Sequence, residues 1–172
     1  MTLTTKRLTL TPVNMSHLNS TFEYAGNLEN TKFMMFLPYD SVEETEKVLQ
    51  QSVENWYSKN PAYRHFAIML GEKHIGEITL YFTDDPKRAE LGWVIHRDYW
   101  NCGYVTEAAL AMLEYAKQVW EIECVFACCD SENVGSYRVM EKIGMHRVSC
   151  LPGRKNRSSQ DARYELLYEI ML

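Results

Sequence analysis

The 172-residue chain has no apolar run approaching the roughly 20 residues that a membrane span needs. Its first residues, Met1 to Arg7, lead straight into a strand pattern. A secretion signal would need a cationic patch followed by a longer apolar segment, so the cytosol is the expected compartment. Positive charge is scarce: 18 Lys and Arg stand against 23 Asp and Glu, a formal net charge of −5. A protein built to grip nucleic acid needs a basic patch, so neither a nucleic-acid nor a membrane partner is expected. There is no Cys-x-x-Cys pair. The five cysteines, Cys102, Cys124, Cys128, Cys129 and Cys150, are odd in number and have no nearby His to complete a tetrahedral set. Free thiols and no metal are expected. No Gly-x-Ser-x-Gly turn is present, which excludes that class of serine hydrolase. Rossmann and P-loop glycine patterns are missing too, which argues against flavin and nucleotide enzymes. Without repeats, low-complexity tracts or a linker, one domain over residues 1–172 is the expected count.

What the chain does have is material for a core, 46% hydrophobic and 12% aromatic residues. Arg7 to Thr11 alternates as a strand, with Leu8 and Leu10 on one face. Asn14 is placed to cap a helix running to about Tyr24. Ser41, with Glu44 three residues on, forms a capping-box pattern for a second helix that ends before Asn60-Pro61. Strands follow at His65–Leu70, His74–Tyr81 and Ala89–Ile95. On the last of these Ala89, Leu91, Trp93 and Ile95 share one face; Glu90, Gly92 and Val94 share the other. Residues 104–119 form the strongest helix pattern, with Val105, Ala109, Met112, Ala116 and Val119 in line. A strand over Ile122–Ala127, a short helix over 135–143 closed by Gly144, and strands at Arg147–Cys150 and Ala162–Ile170 complete the chain. The class is α+β with a mixed central sheet, in the order β-α-α-β-β-β-α-β-α-β-β.

Two stretches carry chemistry. Trp100-Asn101-Cys102-Gly103-Tyr104-Val105-Thr106 precedes the long helix. A helix N-terminus offers unpaired N–H groups and a positive dipole end to a pyrophosphate, and Gly103 lets backbone approach closely. About 30 residues later comes Asn133-Val134-Gly135-Ser136-Tyr137-Arg138-Val139-Met140-Glu141-Lys142-Ile143-Gly144. In this order and separation the pair resembles the two cofactor-contacting motifs of the GNAT acetyltransferases. The similarity is greatest to the RimJ/RimL-type branch that acetylates ribosomal-protein N-termini, and the element order matches the GNAT fold along nearly the whole chain. Trp100 is familiar in that branch, whereas Asn101 stands where it carries Gly and Val105 where it carries Ala.

The resemblance implies a mostly antiparallel sheet flanked by helices. It also implies acetyl-CoA as co-substrate and transfer of acetyl to a primary amine, a peptide N-terminus or a small amine. The route would be direct attack in a ternary complex. A homodimer is common in similar proteins. Cofactor contacts would come from Trp93, Val94 and Ile95, from the loop Trp100 to Thr106, and from Asn133, Ser136 and Arg138. Asn133 would hydrogen-bond the pantetheine arm, and a backbone N–H near Val94 would face the thioester oxygen. Many members place an acidic Tyr seven residues after the Asn; here that residue is Met140, so Ser136, directly or through water, becomes the candidate acid, with Tyr137 as an alternative. Glu90 is the candidate base and Glu77 its rival. A GNAT-fold module that binds coenzyme A without catalysis is the alternative reading.

Overall fold

The computed structural model describes residues 1–172. Eight strands form a single sheet: β1 (Leu3–Thr4), β2 (Thr9–Pro12), β3 (Tyr63–Leu70), β4 (Lys73–Phe82), β5 (Arg88–Ile95), β6 (Cys124–Asp130), β7 (His146–Arg154) and β8 (Arg163–Met171). Their spatial order is β1-β2-β3-β4-β5-β6-β8-β7. Every neighbouring pair is antiparallel except β5 and β6. The helices are α1 (Leu18–Ala25), α2 (Leu28–Thr31), α3 (Val42–Trp56), α4 (Tyr104–Trp120) and α5 (Val134–Lys142). The fold is therefore the expected mixed α+β class.

The two short elements that the sequence pattern does not mark are β1 and α2. β1 is only two residues long, too short for alternation to register. α2 is a single turn capped by the Asn27 side chain, which accepts from the N–H of Asn30. Asn14 caps a 3-10 turn, Met15–His17, that feeds into α1. Ser41 caps α3 as expected, while the Glu44 carboxylate reaches one residue further back, to the N–H of Asp40 at 2.7 Å.

The core forms where α4 lies on the sheet. Val105, Ala108, Ala109, Met112, Leu113, Tyr115 and Ala116 are buried along one helical face. The alanines bring the helix axis close to Leu91, Ile78 and Phe66, all almost fully enclosed. Each large apolar side chain enclosed in this way stabilises the fold by about 1.5–3 kcal/mol. Val119 departs from the expected stripe and is 48% exposed. Trp120 turns inward in its place and packs on Phe82, ring centroids 4.4 Å apart.

β6 begins later and ends later than its apolar run suggests. Ile122 is held back at the end of α4, its N–H donating to Ala116 O at 3.1 Å. Cys128, Cys129 and Asp130 extend the strand because β8 pairs with them through Leu167, Leu166 and Glu165. No helix is long and apolar enough to cross a membrane.

Candidate active site

β5 and β6 are paired only over Arg88–Glu90 and Cys124–Phe126, yet β5 continues to Ile95 and β6 to Asp130. Beyond Glu90 the two strands diverge and open a cleft of about 2030 Å³ through the middle of the sheet. The N-termini of α4 and α5 border one end. The other end is bordered by the 29–37 segment and by β4.

All residues expected at the cofactor line this cleft except Cys102, as do Glu90 and Glu77. Cys102 faces away: its thiol meets Trp100 O at 3.4 Å, and its carbonyl accepts from Arg7 Nη1 at 3.0 Å. Trp100 ties the loop to β5 by donating its indole N–H to Ile95 O at 3.0 Å. Asn101 and Gly103 both have positive φ, 60° and 78°. That accounts for Asn at a position where Gly is usual, since Asn is among the few side chains that tolerate the left-handed region. Gly103 caps α4 without a side-chain hydrogen bond, so the first-turn N–H groups remain available to an anion.

Sequence reasoning did not find what braces this loop. Glu107 sits in the first turn of α4, where a carboxylate would oppose a bound phosphate, but it is turned away and saturated. Its oxygens accept from Thr5 Oγ1 (2.6 Å), Arg7 N–H (2.7 Å) and Arg7 Nε (2.6 Å). The Arg7 guanidinium also lies 4.5 Å from the Tyr104 ring centre. The β1–β2 turn thus fastens the loop and the start of α4 from behind. The only hint in the sequence was a lone Glu inside an otherwise apolar first turn.

The register of β5 narrows the choice of N–H donor near Val94. Val94 lies opposite Glu77 in an antiparallel register without a break, and the N–H of His96 donates to Ile75 O at 2.8 Å. Alternation along the strand therefore turns the Val94 N–H into the β4 ladder. The N–H groups of Trp93 and Ile95 point instead to the side that β6 has vacated. A donor to an oxygen in the cleft would come from these two neighbours rather than from Val94.

On the opposite wall Asn133 caps α5, its Oδ1 accepting from the N–H of Ser136 at 3.3 Å. Its amide Nδ2 makes no bond within the protein and is free to donate. Asn133 is thus the helix cap, and Ser136 lines the cleft. Tyr137 packs against the core instead, and Met140 is buried there at 1% exposure. Arg138 lines the cleft, and Lys142, one turn further along α5, joins it as a second cation that sequence reasoning missed. Asp130 steadies the preceding turn. It is fully buried and held by Arg163 (2.8 and 2.9 Å) and by Asn156 Nδ2 (2.6 Å).

The two candidate bases differ sharply. Glu77 is buried. Burial would push its carboxyl up, but His65 Nε2 at 3.0 Å and Thr21 Oγ1 at 2.7 Å outweigh that and hold it well below the usual carboxylate range. Both oxygens are occupied. Glu90 stands at the apex of the diverging strands and accepts no hydrogen bond within the protein. Burial, and secondarily the nearby Glu165, raises its carboxyl above the ordinary value. Cys128 and Cys129 are pushed up to about 12, mainly by burial, so both remain thiols at neutral pH.

Replacing Asn133 by Ala should weaken acetyl-CoA binding about tenfold, the loss of roughly one hydrogen bond. It should also cost about 1 kcal/mol of stability through the lost cap. Titration calorimetry checks the first effect, and unchanged affinity would count against this end of the cleft as the cofactor arm's seat.

Residues 7–146 match the family profile described as an acetyltransferase (GNAT) domain. The chain belongs to the GNAT acetyltransferases. It is 32% identical over 158 residues to the uncharacterised N-acetyltransferase YnaD of Bacillus subtilis, covering 88% of this chain and 89% of the relative. Among solved structures, a GNAT-family acetyltransferase from Bacillus anthracis superposes with a TM-score of 0.85 at 26% identity, over 99% of this chain and 98% of that one. The ribosomal alpha-N-protein acetyltransferase RimL, solved in complex with coenzyme A, shares the fold, with a TM-score of 0.87 at 16% identity over 100% and 98% of the two chains. This GNAT chain is thus an acetyltransferase enzyme whose cleft has the two helix N-termini and the strand divergence in one place.

Proposed function

We propose that this GNAT chain, as one domain over residues 1–172, transfers acetyl from acetyl-CoA to a primary amine by direct attack in a ternary complex. The observation that carries the reading is the unpartnered Glu90 at the apex of the strand divergence, with the free N–H groups of β5 beside it. The pantetheine arm would lie along β5, bonded by Trp93 and Ile95 N–H and by the Asn133 amide. The pyrophosphate would sit on the first turn of α4, with Arg138 and Lys142 contributing charge. Where the arm engages only one of these two β5 N–H groups, the other would hold the developing oxyanion. Glu90 would take the proton of the attacking ammonium, directly or through water, and its raised pKa makes it a stronger base than an ordinary carboxylate.

Ser136 would return a proton to the departing thiolate. The protonated state of Cys128 and Cys129 supports direct attack over an acyl-cysteine intermediate. The Trp100 loop and Ser136 in place of an acidic Tyr support the RimJ/RimL-type branch, and the cytosol is the compartment that goes with it. The test is release of free thiol from acetyl-CoA with a panel of amines, for wild type and Ser136→Ala. The variant should lose about tenfold or more in kcat with little change in KM. Wild-type turnover in that variant would remove Ser136 from the chemistry. Cofactor binding without thiol release by the wild type would favour a coenzyme A-binding module.

A further inference from the structure

Pairing between β5 and β6 ends at Glu90 and Phe126, so the far half of β5 turns one edge to the cleft. Along a strand, residues whose N–H and C=O both point to one edge alternate with residues that point to the other. Ile95 belongs to the open edge. Its carbonyl accepts from two side chains outside the sheet, Asn30 Nδ2 at 3.1 Å and Trp100 Nε1 at 3.0 Å. These two donors stand where a neighbouring strand would have bonded. The Ile95 N–H points to the same side as its carbonyl.

Asn30 does more than occupy one acceptor. It is only 9% exposed, and its Oδ1 accepts from the N–H of Arg97 at 2.7 Å. One buried amide thus grips the chain at Ile95 and at Arg97, just where β5 leaves the sheet. His96 between them is held from the other side by its N–H bond to Ile75 O. The place of Asn30 is itself fixed. Asn27 caps α2 by accepting from the Asn30 N–H at 3.1 Å, and Thr31 Oγ1 donates to Asn27 O at 2.8 Å. The segment that follows α2 is tied to the β7–β8 connection. Arg154 bonds Phe33 O at 3.1 Å, Arg157 N–H bonds Met34 O at 2.9 Å, and Ser158 Oγ bonds Lys32 O at 3.4 Å. Because α2 is anchored on that far side as well, Asn30 restrains the end of β5 rather than following it.

Resting on the acetyltransferase reading above, we propose that Asn30 is a positioning residue for acetyl-CoA: by holding Ile95 O and the Arg97 N–H, it aims the Ile95 N–H at the pantetheine arm. Ile95 is tied to the loop before α4 through Trp100, so it lies between the pyrophosphate seat and Glu90. Trp93, two residues closer to Glu90 along β5, then serves the thioester end. Without the Asn30 amide, Ile95 O keeps one donor and the Arg97 N–H loses its acceptor, and the strand end is free to turn. The nucleotide half of the cofactor would not sense the loss. Its seat is the first turn of α4, which Thr5 and Arg7 brace from behind through Glu107.

Titration calorimetry tests this with two ligands, coenzyme A and adenosine 3′,5′-bisphosphate, which has no pantetheine arm. The proteins are wild type, Asn30→Ala and Asn30→Leu; leucine keeps the bulk of the side chain and removes its polar ends. Both variants should bind coenzyme A about tenfold more weakly, and the bisphosphate within about twofold of wild type. In turnover, KM for acetyl-CoA should rise about tenfold while kcat stays within about twofold. Glu29→Gln cuts the exposed ion pair to Arg97 between the same two segments and should change neither affinity. A merely structural role would move both ligands together. Equal weakening of both ligands, unchanged coenzyme A affinity, or failure of both Asn30 variants to fold overturns the proposal and leaves the acetyltransferase reading intact. If wild type binds no coenzyme A, that reading fails and the proposal falls with it.

Discussion

Glu90→Gln should lower kcat/KM for the amine by about 100- to 1000-fold while leaving acetyl-CoA affinity unchanged. The carboxamide keeps the shape of the side chain and loses its ability to accept a proton. The pH profile gives the same prediction a second readout. The Glu90 carboxyl is raised by burial and by Glu165, so it becomes protonated at a higher pH than an ordinary carboxyl as acid is added. Below that pKa the base is neutral. Activity should therefore fall as pH decreases through it, on top of the loss from protonation of the amine itself. In Glu90→Gln only the amine's contribution should remain. Wild-type rates across the profile would place the base elsewhere. Glu77 is a poor substitute, because its depressed pKa and two occupied oxygens leave it neither basic nor free.

Gly103→Val should weaken acetyl-CoA binding about tenfold or more. The backbone at this residue has φ +78°, and a β-branched side chain there is strained by about 1–3 kcal/mol. An added Cβ meets only Arg7 Nη2, at 3.5 Å, so crowding is minor and backbone conformation is the main effect. Relief of the strain means moving the first turn of α4 off its seat. The N–H groups that would bind pyrophosphate then lose their common direction. Isothermal titration checks the affinity. An unchanged value would show that this turn does not hold the cofactor, whatever happens to the melting temperature.

Much of this architecture is legible in the sequence because it rests on local periodicity. Helix α4, each strand of the β3–β4–β5 meander and the Ser41 cap announce themselves through short-range patterns. The divergence of β5 from β6 is different in kind. It arises from pairing that stops at Glu90 and Phe126, partners 36 residues apart, and no local pattern marks it. The direction of the Val94 N–H depends on register against β4, which no pattern within β5 reveals. The clasp of Arg7 and Thr5 on Glu107 joins residues about 100 apart, and the stitching of the 154–158 segment to 32–36 spans more than 110. Polar contacts of that range leave no periodic trace. Ser136 and Glu90, by contrast, line the cleft at positions that a motif and strand alternation mark locally.

The account stands on amine-dependent cleavage of the thioester at the apex of the strand divergence. Its most direct measurement is thiol release from acetyl-CoA by the purified chain with and without each of a panel of primary amines, with the acetylated amine identified by mass spectrometry. The predicted result is release that requires the amine and matches the acetyl-amine formed mole for mole. Acetyl-CoA bound tightly, but consumed at the same rate whether or not any amine is present, would contradict it.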